Sequence, residues 1–174
     1  PTAVNFSVSG RFVKLFLEVL PGDIIPGSPM AQQPVIILRD AAEYAVDHDW
    51  SSLVTASVIG SNGNLVPLGG KKKQVATPAK NSNYSDHGGR VFFSDLQIDV
   101  ALKCLRMRFS ATSPVGDVIE VDSFPFNVEV GNFHKIQVTQ NPAQAEIGLP
   151  FGIQPHVELT DFGGNTVLDD STTF

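Results

Sequence analysis

Apolar and polar positions alternate along short stretches of this chain, and turn-forming residues separate the stretches. Leu105, Met107 and Phe109 alternate with Arg106, Arg108 and Ser110. This is the period of two of a half-buried strand, whose successive side chains point to opposite faces. Phe126, Val128 and Val130 fall on one side of a further stretch, Phe124–Val130. The apolar runs Val13–Leu20, Pro34–Arg39 and Leu53–Ile59 are of strand length and end on Pro21-Gly22, on Asp40 and on Gly60-Ser61-Asn62-Gly63-Asn64. Such residues favour turns because Gly reaches positive φ, Pro fixes φ and Asp bonds its own backbone. Shorter strands are predicted at Arg90–Phe93, Leu96–Val100 and Val118–Val121, with two more at Lys135–Gln140 and Pro155–Thr160. Many short strands at this spacing predict an all-β fold, a β-sandwich of immunoglobulin-like type.

The chain also repeats itself. Displaced by 121 residues it overlaps itself without a gap from Phe12/Phe133 to Leu53/Phe174, and 11 of the 42 overlapping pairs are identical. Chance identity would account for roughly two or three. The matches include Phe12/Phe133, Pro21/Pro142, Gly27/Gly148, Gln33/Gln154, Pro34/Pro155 and Asp40/Asp161. Most are turn formers, so what recurs is a backbone path. No His, Ser, Cys or Glu constellation recurs with it. The reading is therefore one complete unit over 12–132, the opening strands of a next unit over 133–174, and a terminal strand of a preceding unit (or a strand-donating extension) over 1–11. Gly131, Asn132 and Phe133 form the junction. An excerpt from a longer array and a subunit completed by its neighbours are both compatible with this phase.

The residues that carry the repeat also carry a resemblance. Phe133–Pro142, then Gly148–Pro155, then Val157–Asn165 resemble the opening of Ig-like repeats in large extracellular surface, adhesin-type or fibril-forming proteins. The same signature stands at Pro21, Gly27-Ser28-Pro29 and Gln33–Asp40. Val91–Asp99 is similar to the segment that precedes the penultimate hairpin of such repeats, and Leu105–Ser110 with Ser123–Val130 is similar to the final hairpin. Ala41-Ala42-Glu43-Tyr44 departs from the pattern, which usually has Gly-Gly-Asn there. The resemblance implies an extracellular Ig-like sandwich and brings no catalytic residues.

Composition narrows the partners. The net charge is −6, and Lys71–Lys73 is the one basic run. It is read as a solvated loop tip, and no nucleic-acid partner is expected, because that needs a clustered positive surface. No run of 18 or more apolar residues occurs, so no membrane insertion of this segment is expected. Cys104 is read as a buried thiol and Trp50 as a packing residue. Asn5-Phe6-Ser7 and Asn83-Tyr84-Ser85 fit the N-glycosylation acceptor. Asp40, Asp47 and Asp49 are weak calcium candidates, set against the commoner use of Asp to close a turn. His48, His87, His134 and His156 are scattered, and no nucleophile, zinc or phosphate-loop motif accompanies them.

The expected protein is thus not an enzyme and needs no cofactor beyond covalent glycans. It is a structural component of an extracellular fibril, stalk or surface appendage, with copies of itself or adjacent units as head-to-tail partners. An adhesin or carbohydrate-binding module, docking its ligand on loops such as 61–90, is the alternative. An accessory domain of a surface enzyme is a third reading.

Overall fold

The computed structural model describes residues 10–49, 51–76 and 88–168, and among these there is no helix. The described residues form eleven strands in antiparallel sheets. β1 (Lys14–Val19), β2 (Val35–Arg39) and β6 (Arg90–Phe92) make one sheet, with β2 in the middle. In the other sheet, β3 (Leu53–Ile59) pairs with β7 (Leu102–Thr112), and β7 with β8 (Val118–Asp122). The outer edge of β3 carries β4 (Leu65–Val66) and β5 (Lys73–Val75), while β9 (Phe126–Val128) continues the β8 edge of β7. β10 (Lys135–Gln140) and β11 (His156–Thr160) pair with each other in a two-stranded sheet.

One apolar core lies between the first two sheets, the arrangement expected of a β-sandwich. Leu15, Ile36, Leu38 and Val91 enter it from one side, and Val54, Ala56, Val58, Leu105, Met107, Phe109 and Ala111 from the other. The period-two pattern produces this directly, since every second residue of β3 and β7 faces inward. The rings of Phe93 and Phe109 meet at the centre, their centroids 5.5 Å apart and tilted, a favourable aromatic geometry. The outward faces carry ion pairs instead: Arg90 with Glu18, and Arg108 with Glu120 and Asp122.

Three expectations need correction. Leu96–Val100 is not a strand; Gln97 makes only single bridges to Pro29 and Gly69. The segment is nevertheless buried at Leu96 and Ile98, because Gln33 holds it. The Gln33 amide donates to the Met30 and Leu96 carbonyls and accepts from the Leu96 N–H, each at 3.0 Å. Cys104 is exposed rather than buried. It lies out of phase with Leu105, Met107 and Phe109, in a bulge where Leu102 pairs with Val128 and Leu105 with Phe126, and its φ is +57°. An extra residue of this kind leaves the ladder, and here the Asn127 side chain accepts its N–H at 3.0 Å. Finally, Lys71–Lys73 is not wholly a loop tip, because Lys73 opens β5.

Candidate functional site

The pairing of β10 with β11 copies that of β1 with β2, 121 residues on. Lys14 lies opposite Arg39 and Lys135 opposite Thr160, and both ladders shift register at the same place, after Leu17 and after Val138. The connecting loops agree as well. The bridge Gly22–Gln32 has its counterpart in Ala143–Ile153, and Arg39–Ala45 in Thr160–Thr166. Positive φ recurs at Asp23 and Gln144, at Gly27 and Gly148, and at Glu43 and Gly164. Gln154 donates to the Phe151 carbonyl as Gln33 does to that of Met30.

Two pairs of residues explain why path recurs better than identity. At Asp40, the Tyr44 N–H donates to Oδ1 at 3.0 Å and Asp40 N–H donates to the Tyr44 carbonyl at 2.9 Å. At Asp161, the Asn165 N–H donates to Oδ1 at 2.7 Å and Asp161 N–H donates to the Asn165 carbonyl at 2.9 Å. The turn closes identically although Ala41-Ala42-Glu43-Tyr44 stands in place of Phe162-Gly163-Gly164-Asn165. Glu43 adopts φ +68° without being glycine, and Lys14 and Arg39 bind its carboxylate. Those contacts, with the Lys14 hydrogen bond foremost, hold that carboxylate below the usual range.

The second turn does more than close itself. Asp161 is fully buried, and its Oδ2 accepts the Gly131 N–H at 2.8 Å. Burial pushes its carboxyl up, but hydrogen bonds from the Asn165 side chain and from the Gly131, Asn165 and Gly164 backbone outweigh that and leave it lowered. Asn165 reaches across to the sandwich. Its Oδ1 accepts the Ala101 N–H at 2.8 Å and its Nδ2 donates to the Asp99 carbonyl at 2.7 Å. The amide can face only one way, since Ala101 offers a donor and Asp99 an acceptor. Gly163 lies against the Asp99 carbonyl and Pro26, with no room for a Cβ. Gly27 packs as tightly against Phe162, whose ring centroid is 4.6 Å from that of His134.

Of the junction residues named from the sequence, Gly131 is therefore tethered, while Asn132 and Phe133 are exposed. Asp99, Ala101, Phe162, Gly163 and Asn165 were not singled out. A signal was present, because Gly-Gly-Asn marks where the two copies diverge most in chemistry while keeping one backbone path. Pro21, Pro34, Pro142 and Pro155 flank the paired strands, as their turn roles require.

The remaining candidates stand apart. Asn5, Asn83, Trp50 and His87 lie outside the described residues. Asp49 accepts from the Ser51 and Ser52 backbones and from the Ser52 hydroxyl, and Asp40 from the Ala42 N–H as well as that of Tyr44. Asp47 sits 3.4 Å from His48. These aspartates do not converge: among the described residues no group of three or more His, Cys, Asp or Glu could hold a metal ion. His156 meets Thr139 at 2.8 Å. An open groove of about 600 Å³ is lined by Ser51, Ser52, Thr55, Ser110 and Thr112 with small apolar neighbours. No helix among the described residues is long and apolar enough to cross a membrane. No protein-family model and no curated protein matches the sequence.

Proposed function

We propose that this chain is a length of an extracellular fibril, stalk or surface appendage, made of Ig-like units joined end to end, with a mechanical rather than an enzymatic task. The observation that supports this best is the β10–β11 pair, which follows the β1–β2 path 121 residues on and is seated on the end of the sandwich through Asn165. A binding protein on a flexible tether has no need for such seating. A load-bearing rod does, because a short hydrogen-bonded junction restricts rotation between successive units.

On this reading β10–β11 opens a second sandwich. Its inner face is apolar but uncovered. Leu15, Met30 and Ile36 are 3%, 3% and 0% exposed, whereas their counterparts Ile136, Phe151 and Val157 are 61%, 44% and 52% exposed. The reading calls for a second sheet over this face, in cis or from a neighbouring chain. Glycans at Asn83 and Asn5 would keep a chain of low charge hydrated.

Electron microscopy of native material tests the proposal. Long, uniform fibres of evenly spaced units are the expected result. Isolated globular particles that bind sugar would favour the adhesin reading, for which the hydroxyl-lined groove is the observation in hand. Hydrolase or transferase activity in the purified chain would defeat the non-enzymatic assignment. Intact mass before and after deglycosylation tests Asn5 and Asn83, and no loss of mass would reject both.

A further inference from the structure

The hydrogen bonds that the backbone of Asn165 makes to Asp161 close the turn without its side chain. The Asp40 turn has the same backbone hydrogen bonds with Tyr44 at the equivalent place, and there the side chain is largely exposed. Asn165 instead spends its amide on the Asp99 carbonyl and the Ala101 N–H, the two backbone groups that lead into β7. Gly163 and Gly27 let the facing backbones approach closely enough for this, one against Asp99 and Pro26, the other against Phe162. The same amide nitrogen also lies 2.9 Å from Asp161 Oδ2, which holds the Gly131 N–H. Linker, turn and sandwich are thus joined at one side chain.

We propose that the surface formed by Pro26-Gly27 and Asp99–Ala101 is a docking cradle for an Asp-x-Gly-Gly-Asn turn, and that Asn165 is the positioning residue that sets the direction in which β10–β11 leaves the sandwich. The partner that fits this surface is defined by chemistry. It must present a planar amide with a donor and an acceptor side by side, on a turn whose second position after the aspartate has no side chain, as at Gly163. A turn like Asp40–Tyr44, with Tyr in place of Asn, lacks that amide and would not lock in the same way. The corresponding surface of β10–β11, at Ile147-Gly148, is open: Ile147 is fully exposed, and among the described residues a Cβ at Gly148 would meet no atom within 4 Å.

The test is native-state hydrogen exchange on the intact chain, paired with residual dipolar couplings for the orientation of β10–β11 against the sandwich. Asn165→Ala and Asn165→Tyr are the variants, the second being a residue that the equivalent turn already accommodates. In both, the Ala101 amide is expected to exchange at least about tenfold faster, and the two parts are expected to lose their common alignment. The Met107 amide, held by the Ser123 hydroxyl inside the sandwich, should keep its protection. Unchanged Ala101 protection and unchanged alignment would overturn the proposal. So would loss of Met107 protection in Asn165→Tyr, since Asn165 would then support the fold as a whole. These readouts do not depend on the chain forming fibres, so the cradle and the fibril reading stand or fall separately.

Discussion

Gln33 shows how one residue's chemistry decides where a segment runs. Leu96–Val100 has the sequence of a strand but no ladder partner, and a buried segment must satisfy its N–H and C=O groups somewhere. The Gln33 amide supplies a donor and an acceptor to Leu96 and thereby replaces one rung of a sheet. Gln33→Ala would leave the Leu96 N–H without that partner, while the Leu96 carbonyl would keep the Met30 N–H. It is expected to lower stability by about 1–3 kcal/mol, measurable by chemical denaturation. Phe109 works by volume instead. It is fully buried against Phe93, so Phe109→Ala should cost roughly 3–5 kcal/mol in the same measurement. The exposed Cys104 should react with a thiol reagent in the native chain without denaturant; protection until unfolding would contradict its placement in the bulge.

At the scale of elements, the bulge in β7 lets one long strand serve two partners, β8 and β9, along one edge. The turn at 161–165 sets a different dependence, on pH. Asp161 is lowered in the folded chain, so its carboxylate stabilises the seated turn at pH values above its unfolded pKa of about 3.9. That contribution is lost as pH falls through the lower, folded value. The charged form is held by N–H donors from Gly131, Gly164 and Asn165, while the Asp99 carboxylate is turned to Gln97. Acidification below about pH 4 should therefore lower the protection of the Gly131 amide, taken as its exchange rate relative to that of the unfolded chain at the same pH. Asp161→Asn should lose most of that pH response, and a wild-type response in the variant would exclude Asp161 as its source.

At the scale of the whole molecule, one face of β10–β11 is apolar and exposed among the described residues. Ile136, Val138, Phe151 and Val157 present apolar surface to water, and a contiguous patch of this sort commonly marks an interaction site. The isolated chain should bind a hydrophobic dye and self-associate with rising concentration. Ile136→Lys with Val157→Lys should weaken both effects while leaving the sandwich intact by circular dichroism. Equal dye binding in the double variant would place the exposed surface elsewhere. Much of this architecture was legible beforehand. Alternation at 105–109 set which side of β7 faces inward, because a strand's side chains can point only two ways. The 121-residue recurrence anticipated a second hairpin with the same register, because Gly, Pro and Asp constrain local dihedrals whatever surrounds them. Cys104's exposure was also written there, in its phase against Leu105, although the strand's overall apolarity masked it. The short edge strand β5, the capture of Leu96 by Gln33 and the grip of Asn165 on Asp99 and Ala101 were decided only in three dimensions. Each joins residues far apart in the chain, and hydrogen bonds between such residues leave no periodicity in the sequence because they depend on how the sheets and loops come together.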